Sequence, residues 1–104
     1  MKSLQSYTDL GINVAIGTDT FPQDMIREMR VAGCMSRVAD QYFRSAKSGL
    51  LFRCATKNGA KALGRDDIGR LTVGAKADIA IVDMNGFNTI PVRDPIRVLI
   101  SCAT

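Results

Sequence analysis

No histidine and no tryptophan occur in the 104 residues, and the aromatic residues number only four Phe and two Tyr. Without an imidazole, a cysteine nucleophile has no ordinary base, and a metal ion loses its commonest protein ligand. Few aromatic faces are available for stacking on bases. No apolar run approaches the roughly 20 residues of a membrane span. The start, Met1-Lys2-Ser3-Leu4-Gln5-Ser6, lacks the apolar stretch of a signal peptide. A membrane location is therefore not expected and a cytoplasmic one is. Cys34, Cys54 and Cys102 are odd in number and form no C-x-x-C pair. Reduced, mostly buried thiols are expected, not a disulfide or a metal cluster.

What is present is ordinary for a globular chain: 46% hydrophobic and 23% charged residues, enough for one domain or part of one. The net charge of +4 is spread over Arg27, Arg30, Arg37, Arg44, Lys47, Arg53, Lys57 and Lys61. These recur at helical spacing between apolar positions, which describes solvated helix faces and not a nucleic-acid footprint.

Leu4 to Leu10 reads as a helix closed by Gly11. Ile12 to Ile16, nearly all apolar, predicts a short parallel strand covered on both faces. Thr20-Phe21-Pro22-Gln23 predicts the start of a long helix, with Thr20 as cap, running to about Ser45. Its buried face is expected to hold Met25, Met29, Ala32, Ala39 and Phe43, with Val31, Met35, Val38 and Tyr42 adjoining. After the break at Lys47-Ser48-Gly49, Leu50 to Ala55 predicts a shorter helix, interrupted at Thr56 and Asn58 and resuming to Gly64. Beyond it, Ala77 to Asp83 predicts the clearest strand, Asn85-Gly86 a turn, Thr89 to Val92 a brief extended piece, and Ile96 to Ile100 either strand or short helix. One strand and one helix cannot close a parallel sheet alone, so something must lie beside Ile12 to Ile16.

The candidate chemistry is Asp19 in Gly17-Thr18-Asp19-Thr20. Functional groups of α/β folds gather at the C-terminal ends of strands, where this carboxylate is expected. The alternative is an acidic loop residue serving the helix that follows, and the motif alone leaves both open. Asp78 and Asp83 are expected to serve backbone and turn, not catalysis.

A longer pattern adds to this. Gly69-Arg70-Leu71-Thr72-Val73-Gly74-Ala75-Lys76-Ala77-Asp78-Ile79-Ala80-Ile81-Val82-Asp83 resembles the segment G-x-L-x-x-G-x-x-A-D-hydrophobic-x-hydrophobic-x-D of metal-dependent amidohydrolases, where the chain leaves the barrel for a small β-sandwich. Ala55 to Gly64 resembles that family's helix leading out of the barrel, and Gly17-Thr18-Asp19 the end of its eighth strand. The Thr-Asp-Thr and the Asp24 to Arg30 segment are most similar to the branch acting on cytosine, triazine and purine rings.

The resemblance implies an α/β fold: the terminal βα unit of a TIM-like barrel at residues 1–47, a connecting helix at 48–66, and the first β-sandwich strands at 67–104, incomplete alone. It implies that Asp19 is both catalytic and metal-binding or metal-adjacent, exchanging a proton with a water activated by zinc or iron. Thr18 and Thr20 are candidates to orient it. The parent would hydrolyse a C–N or C–halogen bond on a small nitrogen heterocycle. The family's His-x-His and later histidines are absent, and catalytic zinc takes about three protein ligands. This chain is therefore expected to be inactive, to bind no cofactor tightly, and to look cut at both ends. Its expected partners are copies of itself or a missing N-terminal barrel half, with a non-catalytic oligomerising or complementation module as the alternative.

Overall fold

The computed structural model describes residues 2–103, which form five helices: α1 (Leu4–Asp9), α2 (Met25–Asp40), α3 (Ser48–Ala55), α4 (Lys57–Ala62) and α5 (Pro95–Cys102). The helices begin where side chains can take up free N–H groups. Ser3 accepts from Ser6 N, Asp24 from Arg27 N and Asp94 from Arg97 N, the last with Pro95 in the first turn. Gly11 and Gly64 follow α1 and α4 in left-handed conformations, with φ of 77° and 67°. These turns end where the glycines predicted.

α2 packs on α1, α3 and α5, and α3 packs on α4 and α5. Met29, Ala46, Leu51 and Ile100 form the buried centre, flanked by Leu4, Ile16, Met25, Ile26, Phe52 and Ile96. Leu51 and Cys54 are the largest of the fully buried side chains. Burying one such leucine contributes about 1.5–3 kcal/mol. α2 meets α3 at Gly33, where an added Cβ would lie 2.9 Å from Leu51 Cδ1. Arg30 reaches from α2 to the end of α5, donating from Nε to Ile100 O (2.8 Å) and from Nη2 to Ala103 O (2.5 Å). The last carbonyls of a helix run out of partners within it, and Arg30 supplies donors at this end.

The expected α/β architecture is not what forms: among the described residues there is no strand. The reason is pairing. A strand exists only through hydrogen bonds to a neighbouring strand, and these residues supply none. The Ile16 N–H instead donates to Cys54 O (3.0 Å). Between Ala77 and Asp83 no backbone–backbone hydrogen bond forms among the described residues. Thr89 to Val92 is likewise irregular, and Ile96 to Ile100 resolves as helix.

The long helix also differs from expectation. It starts at Met25, because the Asp24 carboxylate and not the Thr20 hydroxyl accepts the first-turn N–H. It ends at Asp40, where Gln41 turns left-handed at φ 50° and its N–H bonds back to Arg37 O and Val38 O. At 16 residues it is about 24 Å long. Its buried face is narrower than predicted: Val31, Met35, Val38, Tyr42 and Phe43 are exposed.

A second packing point explains one motif glycine. Gly69 has φ of 76°, and an added Cβ there would meet Thr56 O at 2.9 Å and Ala60 Cβ at 3.0 Å. Only a residue without a side chain lets this turn lie against the α3–α4 junction. After it the chain is mostly open. Leu71, Val73, Ile79, Ile81, Phe87 and Ile90 are all exposed. The chain exposes 7625 Å² in total, against about 5,700 Å² for a compact monomer of its mass.

Candidate functional site

Asp19 sits in the loop between Ile16 and α2, exposed to solvent and with φ of 53°. A left-handed conformation is uncommon for a residue with a side chain, though aspartate tolerates it better than most. Such outliers concentrate at functional sites. No hydrogen bond to the Asp19 carboxylate forms among the described residues, so the Thr18 and Thr20 hydroxyls do not orient it here. Asp19 does not act as the α2 cap either, since Asp24 does that.

The segment leading to Asp19 is fastened at three points. Asn13 Nδ2 donates to the Asn58 main-chain O (3.0 Å), Asn58 Nδ2 donates to the Val14 main-chain O (2.9 Å), and Ile16 N donates to Cys54 O. All three come from the α3–α4 junction. Sequence reasoning took Asn58 only as an interruption or cap of a helix and gave Asn13 no role. The available signal was a lone amide side chain inside the apolar run Ile12 to Ile16, which needs a partner once half-buried.

Two other acidic residues are held by neighbours. Asp40 accepts from Ser45 Oγ (2.5 Å) and Ser6 Oγ (3.4 Å). The hydroxyls of Ser3, Ser45 and Ser6 together keep its carboxyl below the usual range. Asp67 takes a two-point bond from Arg65, Nε to Oδ1 (2.8 Å) and Nη2 to Oδ2 (2.7 Å), with Lys76 Nζ at 3.6 Å. The Arg65 bond brings the Asp67 carboxyl down to about 2. Asp83 Oδ1 accepts from Asn85 N and Nδ2, the turn role expected of it, while Asp78 is exposed.

All three cysteines are free. Cys54 is buried and its thiol is pushed up by that burial, with Asn58 and Arg53 opposing. Cys102 is half-buried, but Cys34 is exposed, contrary to expectation.

Among the described residues no three of Cys, Asp and Glu lie together in a way that could hold a metal ion. Asp19 is one carboxylate in open solvent. The donor set of this chain does not by itself fit a catalytic zinc or iron centre. No helix of the described residues is long and apolar enough to cross a membrane.

The features that stand out are a turn glycine packed on a helix junction, a fastened segment leading to a left-handed aspartate, and a largely exposed apolar arm. Residues 2–101 match the amidohydrolase family, and the chain belongs to it. It is 40% identical over 96 residues to a 5-methylthioadenosine/S-adenosylhomocysteine deaminase of Pyrococcus abyssi, covering 88% of this chain and 22% of that protein. It is 36% identical to a 5'-deoxyadenosine deaminase of Methanosphaera stadtmanae, covering 96% of this chain and 24% of that one. A solved adenosine deaminase from Xanthomonas campestris, with bound zinc, superposes with a TM-score of 0.85 at 33% identity, over 92% of this chain and 23% of its own. The chain thus spans about a quarter of the length of the relatives it matches.

Proposed function

We propose that this chain supplies the proton-carrying carboxylate, Asp19, to a hydrolytic deaminase of adenosine-like nucleosides. In this reading residues 1–47 carry the carboxylate, 48–66 brace it, and 67–104 present the surface that docks on the remainder of the enzyme. The observation that carries it is the match to deaminases over 88–96% of the chain, with Asp19 in a strained turn at the end of a fastened segment. In the reaction, water adds its oxygen to the ring carbon that bears the amino group, the C–N bond breaks, and ammonia leaves. Asp19 takes a proton from the attacking water and returns one to the departing nitrogen. Zinc or iron would belong to the completed site, with its remaining ligands outside this chain.

The test is a chimera in which this chain replaces the matching part of the Pyrococcus abyssi deaminase, assayed for ammonia release from 5'-methylthioadenosine. The expected result is turnover, reduced about 10²–10⁴-fold in Asp19→Asn. An active chimera indifferent to Asp19→Asn sinks the role assigned to that residue.

The excess exposed surface also favours a second reading, a non-catalytic module in which two copies cover one another. A stable interface needs about 800 Å² from each partner, less than the excess here. Light scattering that shows a monomer at high concentration dismisses it.

A further inference from the structure

The geometry points to Asn58 as a positioning residue for Asp19, acting through the backbone of residues 13–16; this rests on the reading of Asp19 as the proton carrier. A carboxylate that moves a proton must be held to within about 0.5 Å of its working position. Asp19 has no hydrogen bond of its own among the described residues, and it is solvent-exposed. Its place is therefore set by the two ends of the loop that bears it. One end is the start of α2, fixed by the Asp24 cap. The other is Ile16, two residues short of Thr18-Asp19.

That second end has no strand beside it among the described residues, so its position depends on the α3–α4 junction. Three bonds cross the gap, and Asn58 is party to two of them. Its side chain donates to Val14 O at 2.9 Å, and its main-chain O receives Asn13 Nδ2 at 3.0 Å. The third, Ile16 N to Cys54 O at 3.0 Å, comes from the preceding helix one turn away. Asn58 Nδ2 also lies 3.6 Å from Cys54 Sγ, and because the Val14 carbonyl can only accept, the amide nitrogen and not the oxygen faces it. A side chain that can only accept cannot make this contact. Asn58 is half-buried and sits at the beginning of α4, where a helix gains little from asparagine inside its first turn. The cross-segment bond is what the residue provides.

Two substitutions separate positioning from general support. Asn58→Asp keeps size and shape but removes the donor and sets a carboxylate against Val14 O. Asn58→Ala removes the amide altogether. In the isolated 104-residue chain, amide hydrogen exchange at Ile16 should quicken at least tenfold in both variants while exchange at Gly33, in the centre of α2, stays within twofold. In the chimera described above, both variants should lower kcat about 10–100-fold with KM within threefold, since a displacement of about 1 Å remote from the chemistry has that effect. Exchange at Ile16 that is unchanged, or that quickens together with Gly33, overturns the inference. So does a kcat within threefold of the parent in an enzyme that Asp19→Asn disables. If Asp19→Asn leaves the chimera active while Ile16 loses protection in Asn58→Asp, the clamp stands as architecture and the proton-carrier reading is the one that failed.

Discussion

The helical part of the molecule and the arm from Leu71 to Val92 are similarly apolar, yet only one of them buries what it has. Leu51 in α3 is 1% exposed, whereas Ile81 in the arm is 94% exposed. The difference is the range of the hydrogen bonds. A helix satisfies its backbone within its own sequence, so α2, α3 and α5 can form and then bury a shared face. A β-branched run such as Ile79-Ala80-Ile81-Val82 needs a neighbouring strand before it can leave water. The segments that bond within their own helices are therefore buried, and the β-branched run, with no strand beside it among the described residues, stays open.

The largest effect that sharpens this contrast is Leu51→Ala. It should cost about 2–5 kcal/mol of unfolding free energy in urea, because it leaves a cavity among Met29, Ala46 and Ile100. Ile81→Ala should change stability by no more than about 0.5 kcal/mol. If both cost alike, the arm is packed in solution and the contrast breaks. Next in size is Gly69→Ala, which sets a Cβ against Thr56 O at a φ of 76°. It should destabilise by about 1–3 kcal/mol. Gly74→Ala, with a φ of 85° but nothing within 4 Å, should cost less, and thermal melts of the two variants compare them. A Gly69→Ala cost no greater than that of Gly74→Ala would detach the arm's first turn from the helices.

The smallest effect is acid-dependent. Asp67 is ionised down to about pH 2 in the folded chain because Arg65 bonds to its charged form. In the unfolded chain an aspartate titrates near 3.9. Its contribution is therefore complete above about pH 4 and is lost as pH falls through 2. The pair is partly exposed, so the effect is modest. Melting temperature followed from pH 5 to pH 2 should fall more steeply in the parent than in Asp67→Asn. Parallel curves would mean that Arg65 and Asp67 do not hold each other in solution.

What could be read from the residues alone follows the same division. Gly11, Gly64 and the interruption near Thr56 were legible, because helix ends are written in local chemistry, whereas the break expected at Lys47-Ser48-Gly49 lies earlier, from Gln41 to Lys47, and Ser48 and Gly49 open α3. The cap at Asp24 was missed since Thr20-Phe21-Pro22-Gln23 imitates a helix start four residues early. The strands were misjudged for a different reason. An apolar, β-branched run was taken for a strand, although no segment among the described residues pairs with it. At the candidate site the setting of Asp19 was taken as the end of a strand, and the structure places it instead in an exposed loop with φ of 53°. The Asn13–Asn58 clamp was not legible, because it joins residues 45 apart and each looks unremarkable where it stands.

The return of α5 to the core after the arm gives the molecule a tethered excursion, anchored by Gly69 at one root and by Arg30's grip on Ile100 and Ala103 near the other. Chain-closure entropy rises only by about 0.6 kcal/mol for each doubling of such a loop. Residues inserted or deleted at the tip of the arm, around Asn85-Gly86, would thus hardly trouble the helices. That tip is where the scaffold can be lengthened, trimmed or grafted at little thermodynamic expense.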